Sequence, residues 1–329
     1  MKLELLPLTA ATHRRHALHD DNRAWVETNC YVDLWIEVLH AWGFDPTAAL
    51  AFTVAVDFEG DQWLFFKQST YDMFELFGVD VQELNLYRPL LEHVTEQLGR
   101  GRIVLVELDA HYLPDTAGVS HQIAHTKTTV GIQSLDIEAR KLGYFHNAGY
   151  YELAGADFVG LFGLDRERRS DELVPYTEFA KFDPRVRLSD QQLLATSIEQ
   201  LRRHLKKRPT DNPVKRFRAR FMQDLARLRE EPTEAFHVYA FATLRQCGAA
   251  FELAASYLDW LSARGVEGLA EARAAFETLA SQSKTIQFKT ARSVMLKRDV
   301  DFAPMFDAME KAYDTALSEL DRVVSSLPR

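Results

Sequence analysis

The sequence predicts a mixed first half, α+β or α/β, over residues 1–165, and a helical second half over 166–329. Two observations carry that division. Strand-like runs rich in β-branched and aromatic residues are confined to the first half: AFTVAV (51–56), WLFFK (63–67), IVLVEL (103–108), KTTVGI (127–132) and LGYF (142–145). From about residue 188 the chain reads as helix almost throughout. Between the runs of the first half lie helical patterns at 31–42, near 69–77 and at 88–98, the last with Pro89 for its first turn and Gly99 for its stop. The second half opens at Ser189, placed to cap LSDQQLLATSIEQLRRHL. Four further helical runs follow the break RPTDNP, punctuated by Gly265 and Pro304, and suggest a bundle. The charged stretch LDRERRSDELVP (164–175) reads as the linker.

Composition narrows the class. A chain of 329 residues with 47% hydrophobic and 26% charged residues can bury a core without metal or disulfides. A formal charge of −9 argues against general nucleic-acid binding. Two cysteines, Cys30 and Cys247, give no metal-type spacing and no disulfide framework, so no metal is expected and a reducing cytoplasm is the default. The N-terminal run MKLELLPLTAATHRRH lacks the order of a secretory signal, and no stretch approaches the length of a membrane span.

Cys30 raises the question of chemistry. Tyr31, Leu34, Trp35, Val38 and Trp42 recur every three or four residues and line one helical face. Thr28 or Asn29 can cap the start, and Gly43 and Pro46 end it. Cys30 therefore falls in the first turn, where unpaired amides and the helix dipole favour a thiolate. Taken alone, that position equally suits a small buried residue.

A nucleophilic cysteine needs a base and a group that orients it. Candidates cluster in DAHYLPDTAGVSHQIAHTKTTVGI, 109–132. His125 stands at the entry of a strand-like run, with Gly131 six residues on, and Asn147 ends the next run in YFHNAGY. His121 is the rival base and His146 the rival orienter. Asp109 ends a buried-looking strand, where it can support His125 or hold a substrate amine. Arg23, Glu27 and Asn29 could help form the oxyanion hole or entrance, with the Cys30 N–H as first donor, and Tyr112 adds a phenol beside Asp109.

This order of cysteine, histidine and asparagine resembles the papain-like fold. The resemblance implies Cys30 as nucleophile, His125 as base and acid, and Asn147 as orienter. No glutamine sits six residues before the cysteine, where Ala24 stands, and that weakens a peptidase reading. Residues 20–155 also resemble the cysteine-dependent domain of butirosin-biosynthesis protein H and its relatives, through Cys30, DAHYLP and His125. The whole chain looks like the bacterial domain-of-unknown-function family 1839, on TNCYVDLWIEVLHAWGFDP, HQIAHTKTTVGI and YFHNAGYYEL. Members are often encoded near amino-acid:carrier-protein ligases, which become candidate partners. The implied chemistry moves an acyl or aminoacyl group from a carrier-protein phosphopantetheine thioester, through Cys30, to an amine or other nucleophile. Phosphopantetheine enters as substrate, with no bound cofactor.

In the helical half, RRHLKKRPTDNPVKRFRAR (202–220) holds nine Lys or Arg against one acid. The bland reading is a solvated surface. The sharper one is a dock for an acidic acyl carrier protein, using Arg202, Arg203, Lys206, Lys207, Arg208, Lys215 and Arg216. Phe217 and Phe221 fit a core face, so nucleic acid ranks low. Lys284, Gln287, Lys289 and Arg292 could reach a cleft or simply be exposed.

The expected fold is therefore α+β: a papain-like cysteine-protease-type domain over 1–165, then an α-helical bundle domain over 166–329. The expected function is a cysteine-dependent acyl- or aminoacyltransferase. A cysteine hydrolase of the same fold, thioesterase or amidase/peptidase, is the alternative, and a non-catalytic carrier-protein-binding module is the third.

Overall fold

A computed structural model describes residues 2–167 and 173–327, so the expected linker lies partly outside the described residues. The chain divides into two units, each gathered from three segments. The first comprises 1–17, 29–46 and 70–187, and the second 18–28, 47–69 and 188–329.

The first unit is built on an antiparallel sheet. Its strands are β1 (Lys2–Glu4), β2 (Val79–Glu83), β3 (Ile103–Asp109), β4 (Lys127–Asp136), β5 (Lys141–His146), β6 (Gly149–Ala154) and β7 (Thr177–Phe182). They run in the order β2-β7-β3-β4-β5-β6, with β1 beside the far end of β4. The sheet extends past residue 165, because β7 sits between β2 and β3. Its helices are α1 (Cys30–Ala41), α2 (Thr70–Phe77), α3 (Leu90–Gly99) and α4 (Ala156–Phe162). One face of the sheet buries Val104, Val106, Val130, Ile132 and Tyr144 with Val94 and Leu98 of α3 and Phe158 of α4.

Helix α1 covers the other face. Gly131 makes this possible, because a Cβ there would stand 3.2 Å from Leu34 Cδ1 and 3.3 Å from Ile103 Cδ1. At the far end of α1, Trp42 stacks on Phe182 of β7 at 4.7 Å. The helix also buries two carboxylates, Asp33 and Glu37, completely. Glu37 accepts from the His16 backbone N–H at 3.0 Å and pairs with His13 Nε2 at 2.7 Å, as a buried charge requires.

The second unit contains α5 (Asp190–Lys207), α6 (Pro213–Leu228), α7 (Thr233–Ala240), α8 (Gln246–Ser262), α9 (Ala270–Leu296) and α10 (Ala303–Ser326). Ser189 caps α5 and completes a capping box with Gln192. The expected long run from Thr233 is broken by a π-helical turn, Phe241–Arg245, between α7 and α8.

Two expected strands are absent. AFTVAV falls, except for Val56, in a 3-10 run, Pro46–Ala55, and WLFFK keeps only a bridge between Phe58 and Trp63. Both segments belong to the helical unit. There the hydroxyl of Ser197 on α5 donates to the Ala48 carbonyl at 2.8 Å, and Trp63 meets Phe217 of α6 and Phe251 of α8. A short run buried on all sides carries no period that separates strand from helix. Among the described residues, no helix is long and apolar enough to cross a membrane.

Candidate functional site

Cys30 is the first residue of α1. Asn29 caps it: its side-chain oxygen accepts from the Val32 N–H at 3.0 Å. The amides of Cys30 and Tyr31 have no carbonyl partner within their own helix. The thiol is half-buried, and its Sγ–H is directed to Thr129 Oγ1 of β4 at 3.8 Å.

The register of β3 and β4 places the other candidates. Thr129 pairs with Glu107, and Lys127 pairs with Asp109. Residues two apart in a strand share a face, so Asp109 lies on the α1 face of the sheet. It is about 7 Å along the strands from the pair that carries Thr129. His125 precedes β4 by two residues and turns its ring to Asp109, with Nδ1 at 2.5 Å from Oδ2. A carboxylate can only accept, so Nδ1–H is the donor of this bond. The Asp109 carboxyl lies below its ordinary value. Burial works against this, but the bonds from His125 and from the His111 backbone N–H outweigh it. The side chain of His125 is 70% exposed.

The remaining candidates have other partners. Asn147, at φ 45°, forms with Ala148 the two-residue turn between β5 and β6, and the carboxylate at hydrogen-bond distance from His125 is that of Asp109. His146 is buried, with Nδ1 2.5 Å from Asp115 Oδ2 and Nε2 2.8 Å from Thr128 Oγ1. Tyr144 donates its hydroxyl to the same Asp115 at 2.5 Å. His121 faces both oxygens of Asp157 at 3.2 Å. Arg23 belongs to the second unit, where it donates to Ser256 Oγ at 3.0 Å and pairs with Glu252 at 3.4 Å. Tyr112 packs its ring where Gly160 of α4 leaves room.

Sequence order alone missed two neighbours. Thr129 meets the thiol because KTTVG alternates, which puts Lys127, Thr129 and Gly131 on one face. His111 stacks flat on the His125 ring, with centroids 4.4 Å apart. Its place two residues after Asp109 was the available signal.

The basic segment is less free than its composition implies. Arg202 pairs with Glu199 and donates to the Leu327 carbonyl. Arg208 makes a two-point contact with Asp321 at 2.5 and 2.7 Å, and Arg216 binds Asp57 and Asp211. Arg203 has a partner as well. Lys206, Lys207 and Lys215 are exposed and, among the described residues, without an ion-pair partner. In α9, Lys284 lies over the Trp25 ring at 4.2 Å. Phe217 and Phe221 are fully buried. No group of three or more His, Cys, Asp or Glu side chains that could hold a metal is present among the described residues.

The architecture defines a two-part protein: an antiparallel sheet bearing a helix-start cysteine and a His–Asp pair, and a helical unit. The chain belongs to the DUF1839 family. The DUF1839 N-terminal domain matches residues 14–182 and the DUF1839 C-terminal domain matches residues 190–322. No curated protein matches the chain, so the papain-like and butirosin-type expectations rest on the residues alone.

Proposed function

We propose that this protein is a cysteine-dependent acyltransferase with a papain-like first unit. Cys30 is the nucleophile, His125 the base and Asp109 the group that orients it. The observation that carries the reading is the Asp109–His125 bond of 2.5 Å, on the sheet face against which α1 holds Cys30. It supplies what a helix-start cysteine lacks by itself, a base with a fixed tautomer.

In the proposed reaction, His125 Nε2 takes the proton of Cys30, and the thiolate attacks a thioester carbonyl. The Cys30 backbone N–H, at the positive end of α1, faces the developing oxyanion. The bond to the donor thiol breaks, and that thiol leaves with the proton from His125. An amine then attacks the acyl-cysteine, the amide bond forms, and Cys30 recovers its proton through His125. A carrier-protein phosphopantetheine thioester is the proposed donor, with the exposed lysines 206, 207 and 215 as the dock.

The exposure of the His125 side chain, 70%, supports hydrolysis as a second reading, because water can reach the same base. The test is intact mass after incubation with an aminoacyl-loaded carrier protein. The proposal expects one acyl adduct, absent in Cys30→Ala. Product analysis with and without amine acceptors separates transfer from hydrolysis. No adduct under any loading rejects both enzymatic readings and leaves the binding module.

A further inference from the structure

The His125 side chain is exposed and its ring makes one hydrogen bond among the described residues, and χ2 of histidine is a broad torsion. A single bond at Nδ1 fixes one point of the ring but not its plane. The second constraint comes from His111. Its ring stacks on His125 with centroids 4.4 Å apart and planes 16° from parallel. It also meets Tyr112 in a T-shaped contact at 5.0 Å and 81°. The Asp109 carboxylate joins both histidines: Oδ1 accepts from the His111 backbone N–H at 3.0 Å, and Oδ2 accepts from His125. The ring nitrogen Nδ1 of His111 is buried and, among the described residues, without a hydrogen-bond partner. The ring therefore contributes its flat face here, with no polar bond at that nitrogen.

We infer that His111 is a positioning residue: its ring is the platform that holds the His125 imidazole in the plane that meets Asp109 and leaves Nε2 free. The catalytic consequence rests on the acyl-transfer reading, but the positioning itself does not. A stack of this kind changes populations by about two- to tenfold.

The experiment uses the full-length chain labelled with 15N-histidine at pH 8. Imidazole nitrogen shifts report the tautomer of His125, whose signals are identified by their loss in His125→Gln. In His111→Ala the excess of the Nδ1–H tautomer is expected to fall by about two- to tenfold. In His111→Phe, which keeps a flat face without a titrating ring, it is expected to stay. Cys30 loading by a thioester probe should fall in the same proportion in His111→Ala, with KM unchanged. An unchanged tautomer in His111→Ala, or an equal loss in His111→Phe, overturns the platform role. A chain whose Cys30 never loads, but whose His125 tautomer follows the two variants, rejects the acyl-transfer reading and keeps the platform. A chain that loads Cys30 normally with an unaltered tautomer in His111→Ala does the reverse.

Discussion

Gly248 offers a test in which two ordinary rules give opposite signs. It is the third residue of α8, and replacing glycine by alanine inside a helix normally stabilises by about 1 kcal/mol. Here a Cβ would run into the indole of Trp25, which is 3% exposed. That indole is not free to yield. Its Nε1–H donates to the Ala280 carbonyl at 3.1 Å, and the backbone N–H groups of Ala24 and Trp25 both donate to the Glu252 carboxylate, at 2.9 and 3.0 Å. Overpacking a filled site costs about 1–3 kcal/mol, and losing the indole bond costs about 1 kcal/mol more. The packing side wins, and Gly248→Ala should destabilise the protein by about 2 kcal/mol. The assay is urea unfolding followed by circular dichroism at 222 nm and by tryptophan fluorescence, with the denaturant slope compared between variants. The double variant Trp25→Phe/Gly248→Ala should lose less than the two single costs together, because the smaller ring leaves room for the methyl. Unchanged or increased stability in Gly248→Ala would refute the reasoning, since helix propensity would then outweigh the contact.

The two thiols should differ sharply. Burial pushes Cys247 up to about 12, and its sulfur accepts from Ser283 Oγ at 3.4 Å, so a disulfide reagent at pH 8 should modify one thiol in the folded chain and two after unfolding. Rapid labelling that survives in Cys30→Ala contradicts this. Asp115→Ala leaves the buried donors of Tyr144 and His146 without their shared acceptor and should cost roughly 2–5 kcal/mol in urea unfolding at pH 7; a loss below about 1 kcal/mol would mean the network relaxes freely. The folded Asp109 carboxyl lies below its ordinary value of 3.8, so its contribution is present above that value and is lost as pH falls through the folded one. The stability gap between wild type and Asp109→Asn should stay under about 1 kcal/mol because both side chains are partly exposed, and should close as pH falls below about 4; a gap that widens below that pH has the wrong sign. Reversing Lys206, Lys207 and Lys215 to Glu should slow carrier-protein association by roughly tenfold at low salt and by less at 0.15 M, while an unchanged rate removes the dock.

Features set by near neighbours were legible in the sequence. The span of α1, its Asn29 cap, the strands β3, β4 and β5, and the Ser189 cap follow from periodicity and local hydrogen bonding. AFTVAV was misread because β-branched residues favour strands only where a sheet partner exists, and this run is buried in the helical unit instead. β7 was missed because Thr177–Phe182 is short, follows a charged stretch, and gains its structure from pairing with strands about 70 and 100 residues earlier. At the candidate site, chain order points to Cys30, His125 and Asn147. The left-handed φ of 45° places Asn147 in the hairpin turn between β5 and β6. The bond between Asp109 and His125 is set by strand register, which a linear reading contains only weakly.

The way the chain shuttles between its two units has a consequence for how it can be cut. The two family domains meet between residues 182 and 190, which suggests two separable halves. The packing does not respect that border. The helical unit takes in residues 18–28 and 47–69, and with them Trp25 and Trp63, both almost wholly buried. A fragment beginning at 188 would lack the ring that fills the notch at Gly248 and the ring set among Phe217 and Phe251. A fragment ending at 187 would carry those two indoles with nothing to cover them. The helical unit is thus assembled from segments on both sides of the family border. Segments far apart in the chain must be brought together before either core closes, so domain swaps and truncations at the apparent boundary should yield insoluble fragments.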